Sequence, residues 1–261
     1  MAIDTERVYA VLSGDLVKSS RLTADQSRSA MARIRELAKE FESVHQGATI
    51  GQVDTFRHDS WQWLLSKPCL SLRAAVFMRA GLRVLSDGKT KFDTRVAIGI
   101  GTADSISKRR ISDSRGPAFT HSGKILDSMK DRRLAYASAD ESNSATDCLA
   151  SGVVPLLDCI VTDWTPAEAR AVHGALMGLT QEQTASKWPV VEATGKKPAR
   201  QAIAKALARA HWTTVESVLK SVETPIMQPY GVASNHCNLH RLLSGKATSG
   251  ASLAKGEKQK R

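Results

Sequence analysis

The first 138 residues alternate between short apolar runs and longer segments with helical spacing, and no other feature constrains the fold as strongly. The run VYAVLSGDL (8–16) is branched and apolar and ends in Gly-Asp, which is typical of a buried strand. In the segment 24–45, apolar residues recur at helical spacing and charged residues fill the opposite face. The same criteria predict two strands within 47–65 with a turn near Arg57 and His58, helices over 68–85 and 117–130, and strands over 94–104 and 133–138.

This order of elements, β-α-β-β-α-β-α-β, predicts an α+β fold with a ferredoxin-like sheet whose helices pack on one face. A small, polar stretch over 139–146 predicts a linker, and the pattern beyond it is helical throughout. The last residues are poor in apolar side chains and rich in Lys, Ser and Gly, which predicts a disordered segment. The sequence therefore predicts three parts: a sheet domain over 1–140, a helical domain over 146–224 and a basic tail over 225–261.

The balance of charge favours a polyanionic partner. The net charge is +11, which would attract nucleic acid or nucleotide phosphates, although a basic protein without such a partner is the alternative. No apolar run approaches the ~20 residues of a membrane helix, and the N-terminal segment lacks the basic-then-apolar order of a signal peptide. The cysteines are scattered and form no C-x-x-C pair, which argues against structural zinc and favours a reducing compartment. We therefore expect a cytoplasmic protein with no membrane partner.

Two aspartates each stand at the end of an apolar stretch, Asp15 in VYAVLSGDLVKSS and Asp59 in TFRHDSWQWLL. Acidic groups on neighbouring strands can hold one divalent cation between them, and such a cation takes its other ligands from phosphate oxygens. The pair therefore favours a nucleotide site over a closed metal cage. The alternative is that each aspartate only ends its strand.

A second motif lies in the helical half. Thr180 and Gln183 form a capping box that starts a helix, and Ala185 is small enough for close packing against another helix. The next helix has an apolar face formed by Ala202, Ile203, Ala206 and Leu207. Its other face carries donors that suit phosphates and base edges: Lys196, Lys197, Arg200, Gln201, Lys205 and Arg209.

This unit resembles the DNA-binding helix-turn-helix of sigma-factor-like bacterial regulators over residues 165–222. Its turn, PVVEATGKK, is longer than the usual three or four residues. A plain helical bundle with a solvated basic face, or a module that contacts protein, is the alternative.

The sheet domain resembles the class III nucleotidyl cyclases, relatives of the polymerase palm, over residues 8–138. SGDLVKSS resembles the family's first-strand segment, and TFRHDSW resembles the hairpin with its second aspartate. The resemblance implies that Asp15 and Asp59 bind Mg²⁺ or Mn²⁺. It also implies that a loop with free N–H groups cradles the triphosphate: Val17, Lys18, Ser19 and Ser20.

The segment SDSRGPAFTHSGKI resembles the family's D-x-x-G-x-x-V-N-x-A-x-R motif, in which Asp113 falls on the acid that recognises the purine. Three positions depart from the family. Thr120 stands where the family has a catalytic Asn, Lys124 replaces an Arg that contacts phosphates, and Thr55 replaces a purine-contacting Lys. The metal pair is thus retained and the catalytic accessories are altered, which favours binding over cyclisation.

The combination of SGDLVKSSR, the Gly116–Phe119 segment and a C-terminal helix-turn-helix resembles the bacterial SatD family over nearly the whole chain. The first hypothesis is a homodimeric transcription regulator that binds a purine nucleoside triphosphate with metal and also binds DNA. The second is an active nucleotidyl cyclase or nucleotide-signal synthase, in which Thr120 and Lys124 serve catalysis. The third is a DNA-binding protein whose inactive sheet domain only supports dimerisation.

Overall fold

Five strands and eight α-helices make up the part of the chain that the computed structural model describes, namely residues 7–87, 89–138, 145–190 and 195–223. The first elements are β1 (Tyr9–Leu16), α1 (Ala24–Val44), β2 (Thr49–Phe56), β3 (Ser60–Leu65), α2 (Ser71–Arg83), β4 (Thr94–Gly101), α3 (Pro117–Ser128) and β5 (Leu134–Ser138). The remaining helices are α4 (Ala145–Asp163), α5 (Pro166–Leu176), α6 (Gln181–Lys187), α7 (Arg200–Arg209) and α8 (Trp212–Glu223). The protein is α+β, and the element order predicted for the first 138 residues is confirmed.

The strands form one mixed sheet in the order β2-β3-β1-β4-β5. Strand β1 runs antiparallel to both β3 and β4, β2 runs antiparallel to β3, and β5 runs parallel to β4. In the first four strands, β3 separates β1 from β2, and β1 separates β3 from β4. These are two interleaved split βαβ units, the arrangement that the sequence predicts.

Both faces of the sheet are covered by helices, so the prediction that all helices lie on one face is wrong. Alternate residues of a strand point to opposite faces. Leu12 belongs to the core that α1 and α2 share, whereas Val11 packs with Ala118 and Phe119 of α3. Helix α3 lies close to β4, because a Cβ on Gly99 would come within 2.3 Å of the Ala118 carbonyl oxygen. The connection from β4 to the parallel strand β5 therefore crosses the face opposite to α1 and α2.

A buried group of charged side chains links α2 and α4 to Asp93, the residue just before β4. We call Arg79, Arg83, Asp93 and Asp158 the ionic cluster. Arg79 donates to both carboxylate oxygens of Asp93, at 3.2 and 3.1 Å, and to Asp158 at 2.8 Å. Arg83 and Arg133 also donate to Asp93. Burial raises the pKa of Asp93, but the guanidinium groups outweigh it and lower that pKa to about 2.

Helices α4, α5 and α8 share the hydrophobic core of the sheet's α1 and α2 face. Trp164, after α4, is buried, and its Nε1 donates to the Ala210 carbonyl oxygen at 3.0 Å. Arg73 of α2 makes a two-bond ion pair with Glu223 at the end of α8. Side chains of α4, α5 and α8 contribute to the same apolar cluster as α1 and α2. The second half of the chain is thus fixed to the sheet by both apolar and ionic contacts.

Helices α5, α6 and α7 pack around a small cluster formed by Ala171, Ala185, Ile203 and Ala206. The capping box of Thr180 and Gln183 is present at the start of α6, as the sequence predicts. Ala202 is exposed, so its assignment to the apolar face of α7 is wrong. Its position one residue before Ile203 turns it about 100° away from the contact.

Some predicted segments fall outside the described residues: positions 139–144 of the linker, positions 191–194 of the turn before α7, and the whole tail over 225–261. The domain boundaries therefore remain predictions. None of the helices within the described ranges is both long and apolar enough to span a bilayer.

Candidate functional site

Two strand ends meet at one end of the sheet, and each carries an aspartate that the sequence singles out. Asp15, near the end of β1, lies opposite Ser60 of β3 and Arg95 of β4. Asp59 lies in the hairpin turn just before β3, and its carbonyl oxygen accepts a hydrogen bond from the Leu16 N–H at 2.9 Å. Both aspartates line one cavity of about 450 Å³, which we call the strand-end cavity.

The loop after β1 lines the same cavity with residues 17–20. Lys18 has a φ of 55°, in the left-handed region, and leads into a 3₁₀ turn at Ser19–Arg21. The Val17 N–H donates to the Asp93 carbonyl oxygen at 2.9 Å, whereas the next three N–H groups make no hydrogen bond to any other described residue. Successive N–H groups in such a turn form a concave site for an anion. The loop therefore has donors to offer a phosphate.

The two carboxylates already have partners in the protein. Arg95 donates to both oxygens of Asp15, with Nε at 2.8 Å from Oδ1. This hydrogen bond raises the pKa of Arg95. Asp59 accepts hydrogen bonds from Ser19 Oγ at 2.8 Å and from Ser60 Oγ at 3.1 Å. Asp15 is therefore neutralised by a guanidinium, while Asp59 is held by hydroxyl groups and has the His58 imidazole at 3.8 Å, which compensates its charge only when protonated.

A divalent cation would find part of its coordination here. Mg²⁺ is usually held by one or two carboxylates, and water and substrate phosphates complete its coordination shell. Asp15 and Asp59 are carboxylates of the type required. A cation bound to Asp15 would have to replace Arg95 as its partner. Across the described ranges, no three His, Cys, Asp or Glu side chains come together in a way that could hold a metal. These residues suit a cation shared with a bound phosphate, not a closed protein cage.

Sequence reasoning missed three basic residues of the strand-end cavity and a third acidic one, Asp131. Arg95 lines the cavity, and so do Lys130 and Arg133 from the connection between α3 and β5. Lys130 has a φ of 51°, so the chain turns sharply there. One signal for Arg95 was available, because a charged residue in the otherwise apolar strand TRVAIGIG requires a partner. No sequence signal tied Lys130 or Arg133 to the cavity, because the crossing of α3 brings them there.

The two residues assigned to the purine do not come together. Thr55 pairs with Trp61 on the α1 side of the sheet and lines a neighbouring cavity of about 710 Å³, which we call the side cavity. Asp113 lies in a 3₁₀ turn whose Ser112 donates to Asp54, a residue of β2 whose side chain points to the opposite face from Thr55. The side chain of Asp113 is 58% exposed and lies 4.0 Å from Arg110.

The residues assigned to catalysis also lie apart from the aspartates. Thr120 and Lys124 are exposed and one turn apart on α3. Neither is among the residues that line the strand-end cavity. Within one chain, the side chains expected to support ribose and phosphate therefore do not share the cavity of Asp15 and Asp59.

The candidate DNA-binding residues form an exposed basic surface on and before α7: Lys196, Lys197, Arg200, Gln201, Lys205 and Arg209. Four of them already have partners, and Lys196 is one of the four. Lys197 donates to the Ser186 carbonyl oxygen, Arg200 lies 3.8 Å from Glu182, and Arg209 lies 3.0 Å from Glu168. The capacity for new contacts is therefore greatest at Gln201 and Lys205.

No model of a known protein family matches this chain, and no curated protein is found to be similar to it.

Proposed function

We propose that this protein is a regulator that binds a purine nucleoside triphosphate in the strand-end cavity and DNA through α7. The observation that carries the first half is the convergence of the loop after β1 with several cations in one cavity. Lys18, Arg95, Lys130 and Arg133 line it beside three N–H groups that have no partner in the described chain. Charge-assisted hydrogen bonds to phosphate are stronger than neutral ones, so a triphosphate is the ligand that uses most of these donors.

Asp15 and Asp59 would hold Mg²⁺ or Mn²⁺ in this site. The bound cation would neutralise phosphate charge and orient the triphosphate. Lys18 would contact the phosphates from the loop, and Arg95, released from Asp15, would become a further phosphate donor. Arg95 would then face an anionic oxygen in both states, a carboxylate without ligand and a phosphate with it.

The second half of the proposal is supported by α7 and its packing. Ile203 and Ala206 anchor the helix against α5 and α6, and the opposite side exposes Gln201 and Lys205. An anchored helix with exposed amide and ammonium groups has the combination that contacts base edges and phosphates in a major groove. We propose that this surface is a helix-turn-helix and that the order of sheet and helices reflects a SatD-like architecture.

A series of hydrogen bonds leads from the strand-end cavity to helix α4. The Val17 N–H donates to the Asp93 carbonyl oxygen, and the Asp93 carboxylate holds Arg133, which lines the strand-end cavity. Through Arg79, the same carboxylate is linked to Asp158 of α4. A ligand that attracts Arg133 would therefore change the charge balance next to the helices that carry α7.

Binding of nucleotide tests the first half of the proposal. Calorimetric titration of the full chain with ATP and with GTP, each with Mg²⁺, should show saturable binding that Asp59→Ala weakens by tenfold or more. Asp104→Ala is the matched control, because Asp104 is an exposed carboxylate that lines neither the strand-end cavity nor the side cavity. The absence of heat with either nucleotide, together with no change in thermal stability, would refute the proposal.

Binding of DNA is tested separately with a mixed-sequence duplex. The logarithm of the association constant should fall linearly with the logarithm of salt concentration, and Lys205→Ala should reduce the magnitude of that slope by about one. Lys67→Ala removes a charge from the sheet side and should leave the slope unchanged. If both variants behave alike, α7 is not the DNA-binding surface.

A homodimer, which we also propose, would bind with a footprint that spans two half-sites.

The cyclase alternative has less support from the described residues. Thr120 and Lys124 lie outside the strand-end cavity, so one chain does not gather the groups that cyclisation needs. Product analysis after incubation with each nucleoside triphosphate and Mn²⁺, beside Asp59→Ala, would detect such activity directly.

A further inference from the structure

The side cavity adjoins the strand-end cavity and shares part of its wall. Ser19 and Ser20 line both. The side cavity lies between the loop after β1, helix α1 and the β2–β3 hairpin, and its volume of about 710 Å³ can accept a nucleoside. A ligand whose phosphates occupy the loop would therefore have its next chemical group at the mouth of the side cavity.

The lining of the side cavity combines apolar surface with one positioned cation. Leu22 and Met31 supply apolar contact for a flat ring. Arg35 donates from Nη1 to Thr55 Oγ1 at 2.8 Å. Because both residues line the side cavity, this hydrogen bond holds the guanidinium at the cavity lining. An arginine has five N–H donors, and this is the hydrogen bond that Arg35 makes to described residues, so most of its donors remain for a ligand.

The charge of this lining discriminates between purines. None of the described residues that line the side cavity is acidic, and its cations include Arg28, Arg35 and Arg57. A guanidinium pairs with two adjacent acceptors, such as O6 and N7 of guanine. Adenine offers N7 but places an amino group at the 6-position, which a guanidinium repels. The guanidinium of Arg35 therefore offers paired donors that the two acceptors of a 6-oxopurine can satisfy and adenine cannot.

We propose that the side cavity binds the base of the nucleotide and that Arg35, positioned by Thr55, makes the site selective for 6-oxopurines such as guanine. This inference rests on the proposed nucleotide-binding function. It places base and phosphates in cavities of one chain, joined at Ser19 and Ser20. Arg35 is then the specificity-determining residue and Thr55 its positioning partner.

The test compares GTP, ITP and ATP on the full chain, each with Mg²⁺, by calorimetry. ITP has the O6 and N7 of guanine but lacks its 2-amino group, so it isolates the edge that Arg35 would contact. GTP and ITP should bind at least about tenfold more tightly than ATP. Arg35→Ala should lower the affinities of GTP and ITP to that of ATP and leave ATP unchanged, and Thr55→Val should have a smaller effect in the same direction.

Lys39→Ala is the control, because Lys39 is exposed one turn along α1 and does not line the side cavity. It should change none of the three affinities. If ATP binds as tightly as GTP, or if Arg35→Ala leaves their ratio intact, the base selectivity is refuted while nucleotide binding stands. If none of the three binds, the proposed function itself fails, and this inference with it.

Discussion

Two charged regions meet near the start of β4, where Asp93 precedes the strand and Arg95 lies within it, and they differ in how their charges are paired. In the ionic cluster, Asp93 is 1% exposed and accepts hydrogen bonds from Arg79, Arg83 and Arg133. In the strand-end cavity, Asp15 is 19% exposed, and among the described residues its ion-pair partner is Arg95. The cluster satisfies its carboxylate several times over, whereas the cavity retains cations and N–H groups that no described residue uses.

The difference shows how burial separates structural charges from binding charges. A charge removed from water must find its partners within the protein, so the Asp93 carboxylate is fully paired without a ligand, although the buried Arg83 Nε makes no hydrogen bond to the described residues. A partly exposed charge keeps its hydration and can exchange partners at little cost. The presence of Asp-Arg pairs therefore does not distinguish the two regions; what distinguishes the strand-end cavity is that its unused cations and N–H groups line a cavity open to a ligand.

The largest effect should come from breaking the cluster. Asp93→Asn leaves Arg79, which is fully buried, and Arg83 without their shared anion. Removal of one partner from a buried ion pair typically destabilises a protein by about 3–5 kcal/mol, and we expect that range in urea unfolding. Arg83→Met in the same chain should recover part of the loss, because it removes one of the uncompensated charges.

The exposed pair of Asp25 and Arg28 provides the contrast for this measurement. Both side chains are mostly solvent-exposed, so Asp25→Asn should leave the free energy of unfolding nearly unchanged. Equal effects of Asp93→Asn and Asp25→Asn would show that burial does not distinguish these two kinds of pair.

Acid should weaken the cluster in a defined pH range. The pKa of Asp93 is lowered from 3.8 to about 2 in the folded protein. The stabilisation is therefore fully present above the unfolded pKa near 4 and is lost as the pH falls towards 2, with a total of about 2 kcal/mol. Glu40, whose pKa is also about 2, titrates in the same range, so the measurement must isolate Asp93.

The isolating measurement is the difference between the native chain and Asp93→Asn in free energy of unfolding at several pH values. This difference should shrink below pH 4 and be constant above it. A difference that does not depend on pH would mean that Asp93 is not the group that titrates.

The sequence predicts the fold of the first half because each element there carries a local signal. Trp61 and Trp63, for example, alternate with a polar residue in a strand, and both prove fully buried on one face. The face that α3 covers was predicted wrongly, because periodicity shows which side of a helix is apolar but not which side of a sheet it meets. That choice depends on Gly99, where the absence of a side chain allows α3 to approach.

The candidate site was predictable only where its residues adjoin along the chain. Asp15 and the loop after it form a continuous segment, and Asp59 follows from the neighbouring hairpin. Arg133 and the ionic cluster were not predicted, because α2 carries its arginines among apolar residues and nothing local shows that they are buried. The separation of Asp113 from Thr55 has the same origin. The hydrogen bonds from Ser112 to Asp54 hold the turn of Asp113 on the face of the sheet opposite to Thr55.

Within the strand-end cavity, a substitution should affect binding without affecting stability. Lys18→Ala removes an exposed cation that lines the cavity, so nucleotide affinity should fall by roughly tenfold, as expected for a charged hydrogen bond. Arg21→Ala, three residues along and outside the cavity lining, is the charge-matched control. The midpoint of urea unfolding should not change in either variant. A loss of stability in Lys18→Ala would place Lys18 with the structural charges of the cluster.

The smallest effect is expected at Arg95, which lines the strand-end cavity but is paired with a carboxylate, as the arginines of the ionic cluster are. Because this residue holds both oxygens of Asp15, it competes with a cation for the same carboxylate. Arg95→Met should therefore raise the affinity for Mn²⁺ by several-fold, measured by electron paramagnetic resonance without nucleotide. Asp15→Asn in the Arg95→Met background should abolish that gain, because the released carboxylate is then missing. An unchanged Mn²⁺ affinity in Arg95→Met would show that Arg95 and Asp15 form a permanent pair, and the strand-end cavity would then bind phosphate through its cations alone.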